Sequence, residues 1–343
     1  LPPPKEPPMS TTIRDVAREA AVSTSTVSKV LNNWTTISPE TTRRVKDAIK
    51  KLNYVPNSRA VSFASRSTRN IIFLASLIKD SAFQNPHMYE ILCGARQELA
   101  KAGYTLMIQD IPPGEDPCRF LAELISQKVG DGILLHGSAY SPSMAQILLD
   151  QQFPHILIGH PERGSRICWI DTNNGMAGEY SALYMIERGY TQTAFIGGYK
   201  NDAISAQRLN GFLGAMQDYG YSVPEDYICF TDSSKEGGEK AMEHLLRLAP
   251  PPRAVVCENN TLAVGAIQAI NQQQLNVPSQ IALLTFDKYP YSQIITPAPT
   301  IVDIDVYDLG IQAAVMLLRK IENPSLLIQS YTTLPVITEG ATL

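Results

Sequence analysis

A chain of 343 residues exceeds what a single core serves comfortably, so two or three domains are expected. Its 44% hydrophobic and 18% charged residues are the proportions of an ordinary globular protein, with no run approaching the roughly eighteen apolar residues of a membrane span. The net charge of −4 hides an asymmetry: residues 11–69 carry +7 and residues 70–343 carry −11.

Leu1–Pro8 is proline-rich and lacks the apolar core of a signal peptide, so residues 1–10 read as a disordered tail around a candidate start at Met9. Three short helices fit residues 12–52. Thr12 and Asp15 stand at capping-box spacing ahead of Ile13, Val16, Ala17 and Ala20. After a break at Ala21-Val22-Ser23, a second helix turns Val27, Val30 and Leu31 inward and Thr24, Ser25, Thr26, Ser28 and Lys29 outward. Ser38-Pro39-Glu40 supplies an N-cap, a proline at the first helical position and an early acid, with Val45, Ala48, Ile49 and Leu52 repeating at helical intervals behind it.

From Asn70 onward strands and helices alternate. Expected strands are 71–77, 104–109, 132–136, 155–158, 194–196, 254–257 and 281–286; expected helices are 88–102, 175–187, 262–272 and 308–321. Repeated βα units with continuous apolar strands imply parallel sheets covered by helices, and this much alternation suits two Rossmann-like lobes with a ligand cleft between them. Five scattered cysteines form no CxxC pair, against both disulfides and structural zinc and in favour of a reducing cytoplasm.

A basic head on an acidic body is the electrostatic footprint of nucleic-acid binding by the head; a merely solvated basic face is the alternative. A tight helix-turn-helix sets one helix in the major groove, where base edges carry a unique code. The small, polar and basic outward face of the second helix suits that task, although an ordinary three-helix bundle shares the pattern.

The run Thr12-Ile-Arg-Asp-Val-Ala-Arg-Glu-Ala-Ala-Val-Ser-Thr-Ser-Thr-Val-Ser-Lys-Val-Leu-Asn32 closely resembles the head of LacI/GalR-family regulators. Ser38-Pro-Glu-Thr-Thr-Arg-Arg-Val and Leu52-Asn-Tyr-Val-Pro-Asn57 continue the pattern. The resemblance implies a helix-turn-helix head over 11–56, a hinge helix and linker over 57–69, and two lobes of periplasmic-binding-protein type. One lobe would take 70–171 with 304–331, the other 172–303 with 332–343. It also implies a homodimer on near-palindromic operator DNA, a small-molecule effector and a repressor's function. A cytoplasmic, nucleoid-associated location follows, with no enzyme activity, cofactor, metal or membrane.

Carried over by position, Thr24 and Ser25 would discriminate bases, with Thr12, Thr26 and Ser28 near phosphates or base edges and Asn32 at the helix end. Lys29 stands where the family usually has arginine, and a point charge reads guanine less sharply than a planar fork. In the hinge, Asn57, Ala60 and Ala64 flank Phe63, which replaces the leucine that wedges into the minor groove. Packing of Phe63 against its dimer mate is the alternative.

The implied effector residues are His87 and Met88 after Asn85-Pro86, His136 at a strand end, Asp171, Arg208 in Arg208-Leu-Asn-Gly-Phe212, Asn259 and Asp287. Arg208 offers a fork of donors and Asp287 an acceptor, suited to vicinal hydroxyls or a carboxylate. A salt bridge that only joins elements is the plainer reading of that pair, as is a structural role for His136. Gly159-His160 replaces the family's frequent Asp-Arg, and Ser233 stands near a common aromatic position, so a polar, less aromatic pocket is expected. A sugar comes first, with sugar phosphate, nucleobase or small acid open. The chain ends soon after Ile337-Thr-Glu-Gly340, without the heptad segment of tetrameric members, hence the expectation of a dimer. A secreted binding protein without DNA function is the rival reading. An α/β enzyme is the other, although no G-x-S-x-G, H-E-x-x-H, Walker or G-x-G-x-x-G motif is present.

Overall fold

The computed structural model describes residues 11–31, 34, 36–54, 67–77, 86–288, 291–331 and 334–343. They form two compact units, one up to Arg69 and one from Asn70 to Leu343.

The first unit contains α1 (Ile13–Glu19), α2 (Thr24–Leu31) and α3 (Pro39–Lys51). Its start is tied by the Asp15 carboxylate, which accepts from the Thr12 backbone N–H at 2.9 Å and from the Thr12 hydroxyl at 2.7 Å. Those bonds, with Arg18 nearby, hold the Asp15 carboxyl below its ordinary range. Ala21 takes a left-handed φ of 52°, which makes the sharp turn into α2. Ser23 then caps α2 by accepting from the Thr26 N–H at 3.1 Å, and Ser38 caps α3 through the Thr41 N–H. Val16, Ala17, Ala20, Val27, Val30, Val45, Ala48 and Tyr54 form the core. Apolar residues at helical spacing therefore bury one face of each helix, as the periodicity predicts.

In the second unit, β1 (Asn70–Leu74), α4 (Pro86–Lys101), β2 (Thr105–Gln109), α5 (Pro117–Ser126), β3 (Gly132–His136), α6 (Pro142–Asp150), β4 (His155–Ile158) and β5 (Trp169–Asp171) build the first lobe. The second lobe follows with α7 (Asn174–Glu187), β6 (Thr193–Gly197), α8 (Ala203–Asp218), β7 (Ile228–Phe230), α9 (Lys235–Leu246), β8 (Ala254–Cys257), α10 (Asn260–Gln272), β9 (Ala282–Phe286) and β10 (Thr300–Asp303). The chain then returns to the first lobe for α11 (Val306–Glu322) and β11 (Gln329–Tyr331), and ends at β12 (Val336–Thr338) in the second.

Each lobe holds a six-stranded sheet, in the orders β11-β5-β4-β3-β1-β2 and β12-β10-β9-β8-β6-β7. Every pairing is parallel except that of β10 with β12. The chain thus passes between the lobes three times, after β5, β10 and β11. Alternation across the pleat feeds two cores per lobe. Ile71 and Phe73 of β1 face one cluster and Ile72 and Leu74 the other; Val255 and Cys257 of β8 oppose Ala254 and Val256 in the same way.

The expected strands and helices are present with small shifts at their ends. Helices α5, α6, α8 and α9 and strands β5, β7, β10, β11 and β12 were not expected. Four of those strands have only three residues, and β10 has four, too few for a period of two to show.

Helices α7 and α8 cross at close range. Gly178 of α7 and Gly211 of α8 let the two backbones approach so closely that a Cβ at 178 would overlap the Arg208 carbonyl, and one at 211 the Gly175 carbonyl. The obstruction is backbone, which cannot swing aside. Gly178→Ala is therefore expected to destabilise the chain by about 1–3 kcal/mol through overpacking and to displace Arg208. A lowered thermal midpoint in calorimetry checks this, and an unchanged midpoint contradicts it.

Candidate functional site: an interlobe cleft and a helix-turn-helix face

A cleft of about 370 Å³ lies between the two lobes, at the carboxyl ends of their strands. It is lined from the first lobe by His87, His136, Tyr140, His160 and Asp171, and from the second by Asp202, Arg208 and Asp287, among others.

Arg208, on α8, is 5% exposed. Its Nε donates to Asn174 Oδ1 at 3.1 Å, Nη1 to the Glu258 carbonyl at 2.6 Å and Nη2 to Asp287 Oδ1 at 3.5 Å. The guanidinium also lies 4.4 Å from the centre of the Phe286 ring. A guanidinium has five N–H donors, so two remain for a ligand after these three bonds.

Asp287 follows β9 with a left-handed φ of 68°. Its backbone is held on three sides: its N–H donates to the Val302 carbonyl, and its carbonyl accepts from Asn260 Nδ2 at 3.1 Å and Ser292 Oγ at 2.7 Å. Such over-determination is what keeps an unfavourable φ in place. His87 Nε2, at the start of α4 in the first lobe, lies 3.6 Å from Asp287 Oδ1, so this carboxylate meets groups from both lobes.

Asp171, at the end of β5, is 8% exposed and accepts from the Thr172 N–H at 2.8 Å. Desolvation outweighs that bond and the nearby His160 and Arg208, pushing its carboxyl up to about 6. His136 ends β3. The Ser138 N–H, which can only donate, meets its Nδ1 at 3.1 Å, so Nδ1 is the acceptor and the neutral ring carries its proton on Nε2. Burial pushes this imidazole down to about 4, which keeps it neutral at pH 7. His160 has the opposite polarity: Nδ1 donates to the Pro161 carbonyl at 2.7 Å, and the neutral ring offers Nε2 as acceptor. Its ring rests on Trp169, 4.6 Å between centroids, with Tyr331 beyond.

Five of the seven expected effector residues, His87, His136, Asp171, Arg208 and Asp287, therefore line one cleft. The other two, Met88 and Asn259, are not among its lining residues. Met88 is buried in the first lobe's core with Ile91 and Ala95, because the turn of α4 that presents His87 points its neighbour inward. Asn259 caps α10, its Oδ1 accepting from the Leu262 N–H at 3.0 Å, which commits the side chain to the helix. Sequence reasoning missed Asn174 and Glu258, which orient Arg208, and Asp202, which lines the cleft while capping α8 through the Ser205 N–H. The carboxylate of Glu258 is itself buried, accepting from Gly198 N–H and Ser205 Oγ, and desolvation raises its pKa. Only the helix-start position of Asp202 left a local signal.

On the head, Thr24, Ser25 and Lys29 are exposed and Thr26 and Ser28 half-buried. Ser25 and Thr26 share hydroxyl contacts with Ser23, and Lys29 Nζ lies 5.5 Å from the centre of the Trp34 ring. Thr12 is engaged in the α1 cap. Asn32, Asn57, Ala60, Phe63 and Ala64, with the expected hinge helix and the tail over 1–10, lie outside the described residues. No helix among the described residues is long and apolar enough to cross a membrane. No group of three or more His, Cys, Asp or Glu side chains among them is placed to hold a metal ion.

A helix-turn-helix unit joined to two parallel-sheet lobes around a polar cleft defines a DNA-binding regulator that responds to a small molecule. Residues 12–57 match the family described as bacterial regulatory proteins, lacI family, and residues 182–343 match the periplasmic binding protein-like domain. The chain is 31% identical to the ribose operon repressor of Escherichia coli (strain K12), over 96% of its own length and 98% of that protein's. It is 33% identical to the HTH-type transcriptional repressor PurR of Klebsiella pneumoniae (strain 342), over 91% of each. Among solved structures, the transcriptional regulator CelR in complex with cellobiose superposes with a TM-score of 0.72 at 25% identity, over 97% of this chain and 99% of that one. The lac repressor dimer bound to operator shares the fold, with a TM-score of 0.79 at 19% identity over 97% and 99%. The chain belongs to the LacI family of bacterial regulatory proteins, and as such is a transcriptional regulator rather than an enzyme.

The buried Asp171 carboxyl makes stability depend on pH. Its folded pKa lies above the ordinary 3.8, so the folded state holds the proton more tightly, and stability falls as pH rises from about 4 through about 6. Asp171→Asn keeps an oxygen for the Thr172 N–H and removes the titration. It is expected to stabilise the chain by about 1–3 kcal/mol at pH 7.5, from a linkage of 1.36 kcal/mol per pH unit, and by much less at pH 4.5. Denaturant melts at both pH values check this; an equal difference at the two contradicts it.

Proposed function

We propose that the chain is a dimeric, cytoplasmic repressor that holds a near-palindromic operator and changes its grip when a sugar or sugar derivative fills the interlobe cleft. The observation that carries this reading is Arg208, with two unused donors, set beside the Asp287 and Asp171 acceptors in a cleft of monosaccharide scale. His136 adds a donor and His160 an acceptor, so vicinal hydroxyls find both polarities. The described cleft lining has one tyrosine and three histidines but no Phe or Trp, which favours hydrogen bonding over ring stacking. The names of the ribose operon repressor and of the cellobiose-bound regulator support a saccharide.

On the DNA side, Thr24 and Ser25 read base edges from the exposed start of α2, Thr26, Ser28 and Lys29 contact phosphates or neighbouring bases, and Thr12 fixes the first helix on the backbone. Asn32 contributes at the end of the recognition helix. Asn57, Ala60, Phe63 and Ala64 belong to the hinge, where Phe63 wedges between base steps. In the cell the repressor is associated with the nucleoid through its operators.

Linkage sets the mechanism. An effector that binds the open and closed lobes differently shifts operator affinity by the same coupling energy, about 1–3 kcal/mol in ordinary cases. His87 and Asp287 are placed to register that change, because closure or opening alters a contact made across the lobes.

Gel shifts of genomic fragments with and without a panel of sugars test the reading. A specific fragment is expected to be retained and its affinity to change about 5–150-fold with one sugar. Asp287→Ala is expected to keep operator binding and lose that response. Absence of any retained fragment defeats the regulator reading for this cleft, and a full response in the variant defeats the assignment of Asp287.

A further inference from the structure

A second and larger cavity, a groove of about 1130 Å³, lies on the first lobe away from the interlobe cleft. It runs between α6, the 162–166 loop and the segment that follows α11. The loop is fixed. Gln329 Nε2 donates to the Ser165 and Ile167 carbonyls at 3.2 and 3.4 Å, and the Tyr140 hydroxyl donates to Glu162 Oε2 at 2.6 Å.

From this fixed backbone Arg163 and Arg166 extend, both exposed, and neither has a hydrogen bond, ion pair or ring contact with another described residue. Two carboxylates, Glu162 and Asp150, also line the groove, and each holds a neutral donor. Glu162 serves Tyr140, and Asp150 accepts from Gln146 Nε2 at 2.6 Å.

The groove also contains a buried cation. Lys320 is 4% exposed, and its ammonium donates to the Pro324 and Leu326 carbonyls at 2.9 and 2.7 Å. An ammonium has three donors, so one is left over, and no carboxylate neutralises it among the described ion pairs. A desolvated cation without an anion is costly, and an anion bound in the groove would offset that cost. The neighbouring His155 does not share the charge. Its Nδ1 meets the Phe153 carbonyl and its Nε2 accepts from the Cys168 N–H, so the ring is neutral. Desolvation first, and then Lys320, keeps that imidazole down at about 4. Three cations with spare donors thus line one groove with two carboxylates, a local excess of positive charge in a lobe pair whose formal charge is −11.

We propose that this groove is a second ligand site, distinct from the effector cleft, that takes a small phosphorylated anion held by Arg163, Arg166 and Lys320. Two planar guanidinium forks and an ammonium match the three terminal oxygens of a phosphate. The site stands whether or not the interlobe cleft takes a sugar.

Titration calorimetry on the full chain at low ionic strength tests it, with inorganic phosphate and glucose 6-phosphate as probes and glucose as the uncharged control. Saturable binding is expected for at least one phosphate probe. It should weaken at least tenfold in an Arg163→Ala/Arg166→Ala double variant. Both arginines are exposed, so the double variant should keep the wild-type thermal midpoint. Tighter binding of the sugar phosphate identifies an ester ligand, and equal or tighter binding of inorganic phosphate identifies the free ion. The proposal is overturned if neither probe saturates, or if binding survives the double replacement undiminished, as binding by the basic head would.

Discussion

The placement of Arg208 is the constraint around which the sensing unit is arranged. A guanidinium left only 5% exposed must be satisfied on several sides, and here each side comes from a different element. Asn174 reaches it from the start of α7, the Glu258 carbonyl from the end of β8, and Asp287 and Phe286 from the end of β9. Moving any of these elements breaks a bond to a buried charge. The glycines at the α7–α8 crossing belong to the same arrangement, since the close contact that Gly178 allows is with the backbone of Arg208 itself.

Around that fixed cation the cleft is made responsive by its less settled groups. Asp171 has an ionisation opposed by burial, and Asp287 sits between an arginine of its own lobe and a histidine of the other. In the proposed function, a ligand that donates hydroxyls to Asp171 would relieve the first, and one that replaces His87 at Asp287 would alter the second. The Arg208–Asp287 pair also illustrates why structural and functional readings of a salt bridge need not compete: at 3.5 Å it is a loose pair, with room for a ligand to take over part of it.

Much of this was legible from local pattern. The head's helices follow from the spacing of Val16, Ala17, Ala20, Val27 and Val30 and from the caps at Thr12 and Ser38, because a three-helix unit is specified by contacts a few residues apart. The central strands are legible for another reason: a strand buried on both faces reads as a continuous apolar run, as in Gly132–His136 and Ala254–Cys257. Edge strands such as β7, β11 and β12 are short and partly exposed, so neither run length nor alternation marks them. Of the seven residues to which the resemblance to LacI/GalR regulators points, five line the cleft and Met88 and Asn259 do not. Motif position identifies a turn of chain, whereas the direction of one side chain within that turn is set by what the core and the helix cap demand.

By itself, then, the sequence determined the division into a basic helical head and an acidic α/β body, the main strands and the family, all of which rest on local periodicity, charge and motif. Tertiary structure decided which polar residues share a cleft, which histidine nitrogen donates, that Glu258 and Asn174 orient Arg208, and that Lys320 lies buried in a groove that two exposed arginines also line. Those outcomes depend on groups far apart in the chain, such as residues 87 and 287 or 208 and 287, brought together only when the strands stack and the chain crosses between lobes. Desolvation and hydrogen-bond geometry act on that assembled arrangement, and neither is encoded in any single stretch of the chain.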